Sequence, residues 1–416
     1  MLRLVVWVGF LQVLPAGLIA AESSLPPPPT WDKIRAVHLA GDLKVFWNVG
    51  SRDPENAIQA QAHGFLPVDL LGSYSDYPGK QKENISNYLK DNPINPWRKP
   101  EFFERISKRN IQSVKGKGAI FVHDIEFHFE QDPAKAWEDA ATRKASGAAT
   151  PEQFAAAYWK EWASWFWQPC LWAKQQFPQM PVGIYGIQPF HRDYWGVAGK
   201  AAQQIDGTHA NDALLWQHID PYVDFYIASI YVFYDQPGSI YYMASNVEEN
   251  WQRSRRFGNK PVYAYEWLRY HDSNKELAGQ ELAPYLVEAM AVLPFFSGAR
   301  GVVLWGWEPK STGQPYQTLP IFMDSLDRIS DLSEKMAAAR LEIDVPAHLL
   351  WKDKKPLVRR LRVAPDEWIV MAIHPWQKDA DHAEIEVPCA TGSAKLTLEG
   401  RHTGIFHIQG DQVSKR

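Results

Sequence analysis

Cysteine is nearly missing from this chain: two in 416 residues, Cys170 and Cys389, far apart in sequence. That excludes a disulfide framework as the source of stability, and two free thiols are the expectation. Positive charge is not in excess either, with 44 Lys and Arg against 48 Asp and Glu and a formal net charge of −4. Such a chain has no basic field to hold a phosphate backbone, which argues against a nucleic-acid partner. After the first twenty or so residues no apolar run approaches the 18 or so that a membrane span needs, so none is expected in the mature chain. No glycine-rich phosphate loop follows the first strand candidate, and no solenoid-type repeat occurs.

What is abundant is aromatic: 19 Trp, 17 Tyr and 19 Phe, in a chain that is 45% hydrophobic and 22% charged. Length and composition suffice for a large domain and a smaller one. Indole and phenol rings suit packing on the apolar faces of sugar rings, although much of this content belongs to the core.

Residues 1–21 read as a secretory signal peptide, with one Arg, an apolar stretch and a small-residue end at Ala20 and Ala21. The mature protein is therefore expected to be secreted or periplasmic. Residues 22–30 form a stiff proline-rich lead-in. From residue 31 to 338, β-branched and aromatic runs alternate with longer amphipathic segments. Seven strand candidates lie at 43–49, 64–71, 118–126, 182–187, 223–232, 261–267 and 301–307. Continuous apolar runs alternating with helical segments indicate parallel βα units covered on both faces. A closed, seven-stranded β/α barrel of the TIM type is the reading, and a doubly wound open sheet is the alternative. From 339 to 416 short strands replace this pattern, as expected of a small all-β sandwich.

The third run, "AIFVHDIEFHFE", passes directly from core into charge. At the C-terminal end of a barrel strand, acids stand at the mouth where barrel active sites form. Asp124 and Glu126 are two apart, hence on one side of a strand and about 7 Å apart along it. Their mutual repulsion raises one pKa, which a general acid requires. A solvated strand end with its acids paired to bases is the plainer alternative. Other strand ends carry Tyr185, Tyr231, Tyr265, Glu266, Trp305, Trp307 and Glu308. Aromatics around paired carboxyls match the chemistry of glycoside cleavage.

In order along the chain, "FWNVGS", "DIE", "GIYGI", "SIY" and "GVVLWG" resemble the motifs of the hyaluronidases of the bee-venom and mammalian type, over residues 43 to 310. The resemblance implies a seven-stranded barrel with Glu126 as proton donor and Asp124 polarising the substrate's 2-acetamido group. Tyr185, Tyr231 and Trp305 would then line the reacting sugar's subsite. The first-strand motif adds Trp47 and Asn48 to the substrate-binding set, and the strand-end positions add Tyr265 and Glu266. Two acids on one strand approach the sugar from one side, so the nucleophile comes from elsewhere. The acetamido oxygen can supply it, with retention of configuration and no metal or organic cofactor.

The chain departs from that family where His128 and Phe129 replace a Trp-Arg pair, and where "QPFHRDYW" (188–195) replaces P-D-C-Y. The missing Arg is a cation suited to a uronic acid; Arg192 and Arg269 are the candidates to meet an anionic sugar. Three other readings stand beside this one. They are a conventional retaining glycosidase with Glu266 as nucleophile, a metal-dependent deacetylase using Asp124, His128 and His123, and a non-catalytic sugar-binding protein. Tyr158, Trp162 and Trp165 are spaced for helix packing against the barrel, with Pro169 expected to end or kink that helix. Trp351, Trp368 and Trp376 are read as structural support.

Overall fold

The computed structural model describes residues 29–51, 53–72, 83–127, 129–186, 210–307, 315–389 and 392–416. The signal-peptide and most of the lead-in readings, and those on His128, Arg192, residues 188–195 and Glu308, lie outside these residues.

All seven expected runs form strands: β1 (Lys44–Gly50), β2 (Leu66–Leu71), β3 (Ile120–Asp124), β4 (Val182–Tyr185), β5 (Tyr226–Ser229), β6 (Val262–Glu266) and β7 (Gly301–Trp307). They make one parallel sheet in the order β4-β3-β2-β1-β7-β6-β5. Its two edges meet at a seam beside Asp224. There the Asp224 backbone N–H donates to the Val182 carbonyl (2.7 Å), and the Val182 N–H donates to Asp224 Oδ2 (2.9 Å). The fold is thus a nearly closed seven-stranded β/α barrel. Its lower interior is filled by rings, with Phe46 and Phe225 5.0 and 4.9 Å from Tyr263. Gly183 of the G-x-Y-G segment exists for this packing, since a Cβ there would come within 2.2 Å of the Phe225 ring.

The helix Pro151–Gln176 begins on a Thr150 cap and Pro151, a favoured first-turn residue. It buries Tyr158, Trp162 and Trp165 as their spacing requires. Pro169 neither ends it nor marks its boundary; the helix runs on to Gln176. Proline forfeits one backbone bond to the preceding turn, and the apolar residues Phe166, Cys170 and Ala173, all buried, keep the segment docked. The helix also holds the chain after β3. Tyr158 Oη donates to the Glu130 carbonyl (2.8 Å), and Phe127 and Phe129 pack on Trp165, Trp162 and Phe166.

The C-terminal region holds an antiparallel sheet of β8 (Arg340–Glu342), β9 (Leu357–Ala364), β10 (Glu367–Ile373), β13 (Gly404–Gln409) and β14 (Gln412–Lys415). A hairpin of β11 (His382–Cys389) and β12 (Gly392–Glu399) accompanies it. Strand β10 is buried on both faces. Trp368, Val370 and Ala372 meet the hairpin's Val387, Leu396 and Leu398, while Ile369, Met371 and Ile373 join the barrel's core. Across this junction the fully buried Arg359 pairs with Glu248 of the helix Gly238–Arg256, its Nε donating to Oε1 at 2.7 Å. Trp351 and Trp376 stack 5.0 Å apart at the same junction, and the Trp376 indole N–H donates to Tyr241 Oη (3.1 Å). Cys170 and Cys389 are both free thiols.

Candidate functional site

At the C-terminal ends of the strands a cavity of about 130 Å³ is lined by Leu70, Asp124, Glu126, Tyr185, Tyr231, Tyr265, His271 and Trp305. Strand alternation puts these side chains there. Residues Phe46 and Asn48 point into the barrel, where Asn48 Nδ2 donates to Tyr265 Oη (3.0 Å). Tyr185 lies 5.2 Å from the Tyr265 ring and 6.1 Å from Tyr231, with its hydroxyl 3.3 Å from Ser229 Oγ. Trp305 lies 5.4 Å from Tyr231 and is propped from behind by Trp267 at 4.9 Å. Burial pushes the Tyr185, Tyr231 and Tyr265 phenols up, so all three are neutral hydrogen-bonding groups.

Asp124 ends β3 and is partly buried, and Glu126, two residues on, is exposed. The intervening Ile125 N–H donates to the Tyr185 carbonyl (3.0 Å), which fixes the direction in which both acids leave the strand. Gly186 makes room for this turn. Its φ is +96°, and a Cβ there would lie 2.5 Å from the Ile125 carbonyl oxygen and 2.9 Å from Glu126 Cγ. Asp124 Oδ1 is buried with no hydrogen-bond partner among the described residues. Burial first, then the Glu126 carboxylate, pushes the Asp124 carboxyl up to about 7. Burial, more than the repulsion within the pair, is what raises Asp124.

The cavity therefore gathers Asp124, Glu126, Tyr185, Tyr231, Tyr265 and Trp305, with Asn48 one hydrogen bond behind. Trp47 and Glu266 do not join them, and both corrections have one cause: neighbours along a strand point to opposite faces. Asn48 takes the inner face of β1, so Trp47 faces outward between Trp31 and Phe65, at 5.6 and 5.1 Å. Tyr265 takes the inner face of β6, so Glu266 lies on the other side. It is 0% exposed, both oxygens lack a hydrogen-bond partner among the described residues, and burial holds its carboxyl well above the usual range.

His123 is likewise on the far side of β3 from Asp124, buried against Phe121 at 4.6 Å, and burial pulls its imidazole down to about 3. Among the described residues no three His, Cys, Asp or Glu side chains are grouped to hold a metal. Arg269 stacks on Trp267 (4.1 Å) and pairs with Asp272 (2.6 Å).

Besides the apolar Leu70, His271 is the polar cavity residue that sequence reasoning missed. It sits five residues beyond β6, and no spacing points to it. Its Nδ1 accepts from the Ser273 backbone N–H (3.2 Å), so in the neutral ring Nε2 carries the proton. A larger hollow of about 370 Å³ lies between the barrel and the C-terminal sheet. Its charges are occupied: His402 Nδ1 contacts Glu288 (3.0 Å), and Arg328 donates to the Thr403 and Arg416 carbonyls.

No family model matches the chain, and no curated protein matches it. Among solved structures it is similar to bee venom hyaluronidase, at 15% identity, covering 69% of this chain and 100% of that one with a TM-score of 0.47. The same enzyme in complex with a hyaluronic acid tetramer matches at 16% identity, over 69% and 99%, with a TM-score of 0.47. An endo-β-1,4-mannanase from Cellulomonas fimi matches at 10% identity, over 86% and 77%, with a TM-score of 0.38.

Proposed function

We propose that the chain is an exported glycoside hydrolase, hyaluronidase-like in its chemistry, that cleaves a glycan containing N-acetylhexosamine. Glu126 is the proton donor, and Asp124 orients the substrate's 2-acetamido arm. The observation that carries this reading is the pair itself: two carboxyls leave one strand end into one pocket walled by Tyr185, Tyr231, Tyr265 and Trp305. Among the described residues that line the pocket there is no third carboxyl, and Glu266 is turned away from it. Among the described residues a covalent carboxylate nucleophile facing Glu126 therefore has no support, which favours an internal nucleophile.

Glu126 gives its proton to the leaving glycosidic oxygen as the bond from that oxygen to C1 breaks. The acetamido carbonyl oxygen closes onto C1 to form an oxazolinium ion, whose N–H donates to Asp124. Water then adds at C1 as the C1–O bond to the acetamido oxygen breaks and the acetamido group is restored; the water gives a proton to Glu126, and the configuration is retained. Burial, and then the Glu126 carboxylate, hold the Asp124 carboxyl well above the usual range. Tyr and Trp rings offer apolar walls for the sugar's faces, and Tyr265, oriented by Asn48, and Tyr185, beside Ser229, present hydroxyls. Export rests on the N-terminal pattern at residues 1–21.

The test is product formation from polysaccharides with and without N-acetylhexosamine, by wild type and Glu126→Gln. Cleavage confined to acetamido glycans, with a retained anomer, and reduced about 10² to 10⁴-fold in the variant is expected. Equal activity in the variant, or an inverted product, overturns the assignment.

A further inference from the structure

Trp307 is the most exposed large apolar side chain among the described residues, at 65%, and it stands at the barrel mouth at the end of β7. Three observations fix what it does there. It is two residues beyond Trp305, which lines the cavity, so it lies one strand repeat, about 7 Å, further out along the same wall. It pairs in register with Gly50 of β1, and Gly50 shares its face with Asn48, whose amide points into the barrel. A Cβ on Gly50 would sit 2.6 to 2.9 Å from three atoms of the Trp307 six-membered ring, so the indole lies across the place a side chain would occupy.

The backbone behind it is also held. Tyr316 Oη donates to the Trp307 carbonyl and accepts from the Trp267 indole N–H (3.1 Å). Gly306 is at φ +133°, where a Cβ would collide with the Trp267 ring 2.3 Å away. The indole is thus seated on a glycine, anchored through its main chain and open to solvent. Exposing such a ring has no folding benefit, and a rigid aromatic platform beside a sugar pocket suits the apolar face of a pyranose.

We infer that Trp307 is the stacking platform of an outer subsite that takes the next sugar of the chain leaving the catalytic pocket. Resting on the glycosidase reading above, this makes the substrate an oligosaccharide or polymer that extends past the reacting residue. Gly50 is the positioning residue that keeps the platform flat.

The experiment measures binding by calorimetry to the Glu126→Gln protein, with and without Trp307→Ala. Disaccharides and hexasaccharides of N-acetylglucosamine and of hyaluronan serve as probes, and wild-type cleavage of both polymers is run alongside. The gain in affinity from disaccharide to hexasaccharide is expected to fall about tenfold on Trp307→Ala, the size of one aromatic stacking contact. Trp307→Phe should restore most of that gain, and Gly50→Ala, which displaces the ring, should lose it. An unchanged gain, in a protein that still cleaves either polymer, overturns the platform and leaves the glycosidase reading standing. Neither binding nor cleavage of any probe overturns both.

Discussion

Replacing Asp124 by Asn tests the electrostatics of the site without any knowledge of the substrate. In the folded chain this carboxyl is raised from 3.8 to about 7 by burial and by Glu126. Between those values the folded state holds a proton that the unfolded state has released, so the wild type loses stability as pH rises through the window. The contribution is complete below pH 3.8 and gone above about 7. Each pH unit is worth about 1.4 kcal/mol. Two units lie between pH 5 and 7, so the penalty grows by about 3 kcal/mol from pH 5 to pH 8. Asparagine carries no such proton, and Asp124→Asn escapes that growth. With about 2.1 cal/mol/K of unfolding entropy per residue over the whole chain, its Tm relative to wild type should rise by about 3 °C between pH 5 and pH 8. Scanning calorimetry at the two pH values reads this directly. Glu126→Gln, which removes the neighbouring charge, should show a smaller shift of the same sign. Parallel Tm profiles for wild type and Asp124→Asn would refute the claim that Asp124 is crowded in the folded site.

Two further outcomes follow from side chains outside the cavity. Glu266→Gln should keep kcat and KM within about twofold, since the carboxyl is buried on the far face of β6 and is held neutral already; abolished turnover rescued by azide would instead identify it as a nucleophile. Arg359→Met should cost about 3–5 kcal/mol, because among the described residues Glu248 keeps only the Ala347 N–H (3.0 Å) as partner. Glu248→Gln/Arg359→Met should recover most of that in urea unfolding, and equal loss in the single and double variants would count against the pair as the cause.

The barrel was legible because all its strands but the half-buried β2 are largely buried on both faces, which leaves continuous apolar runs that no surface strand would show. The acids were legible as candidates because a buried run that ends in Asp124-Ile125-Glu126 brings two carboxyls to the mouth of such a barrel. What the runs could not reveal was facing. "FWNV" and "YAYEW" each place two polar or aromatic candidates side by side, and the alternation allows one of each pair to enter the cavity. Asn48 and Tyr265 enter because their mutual hydrogen bond spans the interior, which fixes Trp47 and Glu266 outward. That choice depends on a contact 217 residues away, and no local pattern carries it. His271 was hidden for a related reason: it reaches the cavity from a loop, through the Ser273 turn and a backbone bond from its N–H to the Val232 carbonyl (2.8 Å), with no periodicity to announce it.

The same logic explains why glycine and bulky aromatics occur together at this mouth. Gly186 against Glu126, Gly50 beneath Trp307 and Gly306 against Trp267 each give up a side chain so that a ring or an acid can take a defined place. A barrel of seven strands encloses little space, and a cavity of about 130 Å³ walled by three Tyr and a Trp leaves no slack for a misplaced carboxyl. Precision at Asp124 and Glu126 is then set by packing behind them. The helix Pro151–Gln176 grips the chain at Phe127, Phe129 and Glu130, while Gly186 admits the turn in front. The proposed catalytic pair thus stands at the end of β3, Asp124 as its last residue and Glu126 just beyond it, held between these neighbours.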